Sequence, residues 1–374
     1  MRRIVTTLTL LFSFVFTNQA QEPYQFTTLI DLEATPVISQ GVTGTCWSFS
    51  TSSFLESEIM RISGQQIDLS EMYNVRMTYP KKAWNYMMRQ GKAQFSEGGL
   101  AHDVINSVRD YGLVPNSVYT GLEAGADRHN HAEMVAVIKS MLNTYIENPG
   151  RNLSANWQMA VAGVLDVYLG SIPEQFKYEG KSYTPQSFLK MTGLDPDAYV
   201  SITSFSHMPM YAQSILDIPD NFSNGSFYNV SLDELMQTID NALENGYTVE
   251  LDCDVSERGF SSKNGVAVVP EDASLTPKAW TAIYPELTVD QDLRQERFES
   301  FSTTDDHLMH ITGIVKDQQG NRYYKVKNSW GTAEDRTAFG GYVYFSEAYM
   351  RLKSISIMVH KDAVPKNTAK KLNL

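Results

Sequence analysis

The chain has 374 residues, 42% hydrophobic and 11% aromatic, enough apolar mass for one large core or two lobes. Its formal net charge is −12 and its only basic stretch is the tail AVPKNTAKKLNL, which excludes a nucleic-acid binder, since phosphate recognition needs clustered Lys and Arg. With only two cysteines, Cys46 and Cys253, a disulfide scaffold is excluded as well.

From the N-terminus, MRR is followed by IVTTLTLLFSFVF and then TNQA, a charged start, an apolar run and a small residue, Ala20, at a cleavage point. That order is the pattern of a secretory leader over 1–20, and the 13-residue run falls short of the roughly 20 apolar residues a spanning helix needs. The expected product is secreted or periplasmic and has no membrane segment after cleavage. Phe49, Phe54, Leu55, Ile59 and Ile62 recur at helical spacing and Gly64 is a stop, so Cys46 sits at the start of a helix. Helices are also predicted over 70–90 and 100–112. Between 121 and 230 the texture changes to two amphipathic helices near 131–147 and 155–169 and then to loops rich in Pro, Ser, Asn and Gly, which marks an insertion.

Ser231 with Glu234 reads as a capping box for a helix through Leu235, Ile239 and Leu243 that Gly246 closes. Strand alternation follows at Tyr247, Val249, Leu251 and Cys253, then over 311–315, 322–327, 341–345 and 354–360. Helices first and antiparallel strands last give an α+β protein of two lobes: a helical one over about 36–120, an insertion over 121–230, a β-rich one over about 245–360, and a tail over 361–374.

A thiol attacks carbonyl carbon as thiolate, and a helix N-terminus favours that charge. Cys46, inside QGVTGTCWSFS, has such a position and needs a base. Of seven histidines, His307 follows Asp305-Asp306 and precedes Lys327-Asn328-Ser329-Trp330-Gly331. An asparagine oxygen can fix the second imidazole N–H and a tryptophan can shield that bond from water. His310 is the rival base, but an odd offset along a strand points it to the opposite face. His129 and His131 form an H-x-H without a third ligand at metal spacing, so no metal and no cofactor is expected.

These residues resemble the papain-like cysteine peptidases. The papain signature C-G-[SA]-C-[WY] is matched by T-G-T-C-W at Gly44, Cys46 and Trp47, while Thr43 replaces a cysteine that the family commonly bridges. Gln40 six residues before the thiol, Gly98-Gly99, Gly313 six after His307, and the N-S-W-G run at 328–331 extend the match. His307 and Asn328 follow Cys46 by 261 and 282 residues, where that signature leads one to expect about 130 to 150, and the insertion accounts for most of the excess. Large insertions and the stretch EGGLAHDVINSVRDYGLVPNSVY resemble the bleomycin hydrolase, or aminopeptidase C-like, branch.

The resemblance implies a papain-like fold with a helical lobe, a β-barrel-like lobe and a helical insertion. It implies Cys46 as nucleophile, His307 as proton carrier, Asn328 orienting that ring and Gln40 in the oxyanion hole. Gly98 and Gly99 would line the substrate cleft, with Trp330 beside it. The implied partner is a peptide or protein substrate, and the implied activity is an aminopeptidase whose own C-terminal carboxylate holds the substrate amine. An endopeptidase, a non-catalytic binding protein on the same fold, an acyl transferase and an oligomer stay open.

Overall fold

The computed structural model describes residues 23–122, 125–148, 150 and 152–374, and the leader read at 1–20 lies outside them. In chain order the elements are β1 (Thr27–Asp31), α1 (Cys46–Ser63), α2 (Glu71–Met88), α3 (Ala101–Tyr111), α4 (Ala132–Ile146) and α5 (Asn156–Leu169). A hairpin of β2 (Phe176–Tyr178) and β3 (Lys181–Tyr183) leads to α6 (Pro185–Thr192), β4 (Tyr199–Thr203), β5 (Gln213–Ile215), β6 (Ser226–Asn229) and α7 (Leu232–Glu244). Next come β7 (Val249–Cys253), β8 (Phe260–Ser261), β9 (Val266–Ala267), α8 (Thr276–Ala279) and α9 (Gln291–Glu299). The chain closes with β10 (His307–Lys316), β11 (Arg322–Lys327), β12 (Tyr342–Ser346), α10 (Glu347–Lys353), β13 (Ser354–His360) and α11 (Lys366–Leu372).

Local chemistry sets several of these boundaries. Gly64 ends α1 in the left-handed conformation, with φ 70°, that a residue with a Cβ adopts at a cost. Ser70 Oγ accepts the Tyr73 N–H at the start of α2, at 3.0 Å. Ser231 and Glu234 exchange side-chain and backbone hydrogen bonds at the start of α7, as their spacing predicts.

One eleven-stranded sheet runs in the order β5-β6-β4-β13-β7-β10-β11-β12-β9-β8, with β1 paired to β10. The pairings form an open path instead of the expected barrel, and two of them, β4 with β6 and β12 with β9, are parallel. The insertion is also less helical than expected. Its strands β4, β5 and β6 extend the sheet that carries His307; at three to five residues each they are too short to show a sustained period of two.

Two apolar cores flank α1. One gathers the helices, around Trp47, Phe54, Tyr73, Val104, Leu142 and Phe188. The other lies between the sheet and α7, around Leu235, Ile239, Val249, Leu251, Met309 and Ile357. Because α1 touches α2 and α3 on one side and β7 and β10 on the other, it is buried from Cys46 to Ile59 almost all round, and its serines and threonines are small enough to allow that approach. The insertion is tied down by Arg294 of α9. Its guanidinium is buried and donates to the carbonyls of Ser204 at 2.8 Å, Arg351 at 3.0 Å and Ile355 at 3.3 Å.

Candidate active site

Cys46 opens α1, where a backbone N–H has no intrahelical acceptor. Two contacts pin the loop before it. The Gly44 N–H donates to Glu97 Oε2 at 2.6 Å, and the Trp47 indole N–H donates to the Glu97 carbonyl at 3.0 Å. Gly99 lies flat on the buried Trp47 ring, and a Cβ there would come within 3.1 Å of it. The thiol is 8% exposed. Burial pushes it up to about 12; the Leu308 backbone N–H, directed at the sulfur, pulls the other way, and the charges of Asp305 and Asp220 add to the rise.

Leu308 follows His307, the first residue of β10, so the sulfur lies against the start of that strand. His307 Nε2 is 2.8 Å from Asn328 Oδ1. An amide oxygen only accepts, so Nε2 carries the proton and Nδ1 is the basic side of the neutral ring. The same oxygen accepts the Ser329 N–H at 2.7 Å, and the Trp330 ring covers the imidazole with centroids 4.9 Å apart. Burial holds His307 down to about 4, against the opposing pull of the Asn328 bond.

Gln40 is fixed from three directions. Its N–H donates to the Ser329 carbonyl at 2.8 Å, its Oε1 accepts from Ser329 Oγ at 2.6 Å, and its Nε2 donates to the Thr43 carbonyl at 2.6 Å. One Nε2 hydrogen is left over. Gly98 lies against Asp220, with its carbonyl bonded by Lys82 Nζ. The structure thus brings Gln40 and Asn328 together through Ser329, and Cys46 and His307 together through Leu308.

His310 lies on the opposite face, fully buried, with Nδ1 3.0 Å from Ser53 Oγ and Lys327 bonded to the same hydroxyl at 2.7 Å. His131 is buried with its Nδ1 3.4 Å from the Tyr79 hydroxyl, and the His129 and His131 ring centroids are 6.1 Å apart. Glu56, Asp68 and Glu71 converge closely enough to share a cation, and the Lys327 ammonium already acts on all three carboxylates or their neighbours from the same pocket.

Four groups at the site have no counterpart among the predicted residues: Glu97, Ser329, Asp220 and Asp305. Ser329 stands inside the N-S-W-G run and Asp305 two residues before His307, so their nearness was readable although their bonds were not. Glu97 adjoins the glycine pair. Asp220 comes from the insertion, and its local sequence, DIPDN, reads only as a turn.

The sequence model of the peptidase C1-like family matches residues 88–374, a span that contains His307 and Asn328. The chain belongs to the peptidase C1-like family. It is a cysteine-type peptidase. Aminopeptidase G of Lactobacillus delbrueckii subsp. lactis is 23% identical over 381 residues, covering 90% of this chain and 83% of that protein. The mitochondrial cysteine proteinase 1 of Saccharomyces cerevisiae (strain ATCC 204508 / S288c) is 24% identical over 404 residues, covering 94% and 80%. A crystal structure of PepW from Lactobacillus rhamnosis HN001 superposes with a TM-score of 0.72 at 19% identity over 93% of this chain and 84% of that one, which establishes a shared fold.

Proposed function

We propose that this peptidase is an aminopeptidase that cleaves through a Cys46–His307–Asn328 mechanism, in a cleft between the helical core and the sheet-side core, arranged as the two lobes of a papain-like enzyme. The observation that carries the reading is the His307 imidazole, held by Asn328 Oδ1 at 2.8 Å and covered by Trp330, at the start of the strand on which the Cys46 helix packs. The names of the bacterial relatives, aminopeptidases C and G, support the exopeptidase half.

With the thiol raised and the imidazole lowered, the resting pair is neutral. On substrate arrival the thiol proton passes to His307 Nδ1 and the sulfur attacks the carbonyl carbon. The oxyanion that forms is met by the Cys46 N–H and by the spare Gln40 Nε2 hydrogen, donors worth roughly 3 to 4 kcal/mol each where such holes have been dissected. His307 then protonates the leaving amine, the C–N bond breaks, and water, giving its proton to His307, releases the acyl group. Asn328 holds one tautomer through both transfers.

Two measurements test the proposal. An epoxysuccinyl inhibitor should add one equivalent of mass to the wild type and none to Cys46→Ala; labelling of the variant rejects Cys46 as nucleophile. Aminoacyl coumarins with a free amine should be cleaved faster than their acetylated counterparts; the reverse order makes the enzyme an endopeptidase.

A further inference from the structure

Beside the sulfur stand two carboxylates that the reaction above does not use. Asp220, on the connection between β5 and β6, lies directly on Gly98: a Cβ on that glycine would overlap its carboxylate. Gln94 Nε2 donates to Asp220 Oδ1 at 2.5 Å. Asp305 comes from the other wall, just before β10. Both of its oxygens are shut off from solvent and neither receives a hydrogen bond from the described groups. Its neighbour Asp252 on β7 is likewise without a partner at Oδ1.

Burial raises both acids, Asp305 to about 7 and Asp252 well above its usual range. A protonated Asp252 can therefore donate to one Asp305 oxygen, which leaves the other with no donor. A buried acceptor in that state is costly unless a ligand supplies the N–H. Asp220 lies on Gly98, next to the Glu97 that bonds Gly44 and Trp47, and Asp305 stands two residues before His307, so the two acids come to the Cys46 thiol from its two walls, near enough for their charges to act on it. The other charged groups around them are Lys82, whose ammonium is committed to the Gly98 carbonyl, Asp306, whose carboxylate accepts the Val255 and Ser256 N–H groups, and the acids Glu97, Asp103 and Glu250. The last helix, meanwhile, is fixed on α7, where Lys371 bonds Glu234 at 2.6 Å and Leu372 is buried in the sheet-side core.

We propose that Asp220 and Asp305 form a subsite for a primary ammonium group of the substrate. The inference rests on Cys46 being the reacting thiol and names what its substrates carry. The ammonium gives Asp305 the donor it lacks and forms charge-assisted bonds to both walls. It also cancels the negative charge that adds to the burial-driven rise of the Cys46 thiol, so a substrate bearing it eases its own attack. The free α-amine of a peptide's first residue is the source assigned here, and a lysine side chain is the alternative source of the same chemistry.

The test uses Cys46→Ala protein, so that binding is read without turnover. Calorimetric titrations compare leucinamide, N-acetyl-leucinamide and N-acetyl-lysinamide. Leucinamide should bind, N-acetyl-leucinamide should bind at least roughly 10-fold more weakly, and adding either Asp220→Asn or Asp305→Asn should weaken leucinamide by roughly 10- to 100-fold, the scale of hydrogen bonds to charged groups. Asp220 lies in a half-buried connection and Asp305 next to a strand, so thermal melting of both variants separates a lost bond from a lost fold.

In the protein with Cys46 intact, each Asp→Asn change should speed alkylation by neutral iodoacetamide between pH 6 and 8, because the thiol loses an adjacent negative charge. Equal binding of free and acetylated leucinamide with no preference for N-acetyl-lysinamide overturns the subsite, as does leucinamide binding unchanged in both folded variants. Tighter binding of N-acetyl-lysinamide that both variants lose supports the subsite with a side-chain source, and it removes the aminopeptidase reading instead. Loss of leucinamide binding on removing Asn373 and Leu374, with both Asp→Asn variants unaffected, assigns the amine to the chain terminus and overturns the proposal.

Discussion

The two walls around Cys46 are built in opposite ways. The catalytic wall comes from short stretches whose backbone does the positioning: the first turn of α1, the first residues of β10, and the turn at 328–331, cross-linked by Ser329 and Gln40. The proposed substrate wall comes from side chains that stand in no such motif, Asp220 in the insertion against Gly98 and Gln94, and Asp305 against Asp252. The catalytic candidates each carry a local motif, although folding must bring Gln40 and Ser329 together across 289 residues.

The largest expected effect falls on the catalytic wall. Cys46→Ala should lower kcat on the order of 10⁶-fold while leaving the melting temperature within a few degrees of wild type, measured by coumarin release and by calorimetry. A variant that retains a hundredth of the activity breaks the assignment of this wall. Gln40→Ala should cost roughly 10²- to 10³-fold in kcat with little change in KM, because its spare N–H acts on charge that exists only in the transition state. A change confined to KM would move Gln40 to the substrate wall.

Asn328→Ala should cost roughly 10²-fold, the scale of a misplaced reacting group, and its pH–rate profile should change shape, since His307 loses the partner that raises its pKa. An unchanged profile with a lowered rate would mean that Asn328 only packs.

The smallest effect concerns stability and draws on acids beneath both walls. Burial raises Glu250 to about 8 and Asp305 and Glu56 to about 7. The unfolded chain gives up these protons near pH 4, so in between the native state binds more protons and loses stability as pH rises. The buried imidazoles His307 and His131, held at about 4, work in the opposite sense, but only between about pH 4 and 6.5. Above pH 6.5 the imidazoles no longer oppose the carboxyls. The melting temperature should therefore fall by a few degrees from pH 6.5 to 8.5, and a rise over that interval would show that the acids are solvated.

Much of the helical half was legible in the sequence. α1 through α5 fall where periodicity and Gly64 put them, because each is long enough to show several turns of amphipathic pattern. Strands β7, β11 and β13 also agree with their alternation, whereas β10 starts four residues before the predicted run, since His307 to His310 are buried on both faces and show no alternation. The catalytic candidates were legible because Gln40, Cys46, His307 and Asn328 each sit in a short motif, far apart though those motifs are. Asp220 was not, because nothing around it foretells that a loop 122 residues downstream will come to rest on Gly98. The sheet order was equally hidden, as pairings such as β13 with β7 depend on long-range closure.

Arg294 gives the insertion a mechanical character. A buried cation that holds three carbonyls, one at the end of β4 and two around β13, acts as a rivet between the inserted segment and the sheet. Swinging that segment aside would strand the charge in an apolar interior, so the end of β4 is expected to stay locked to β13 as long as the sheet is folded.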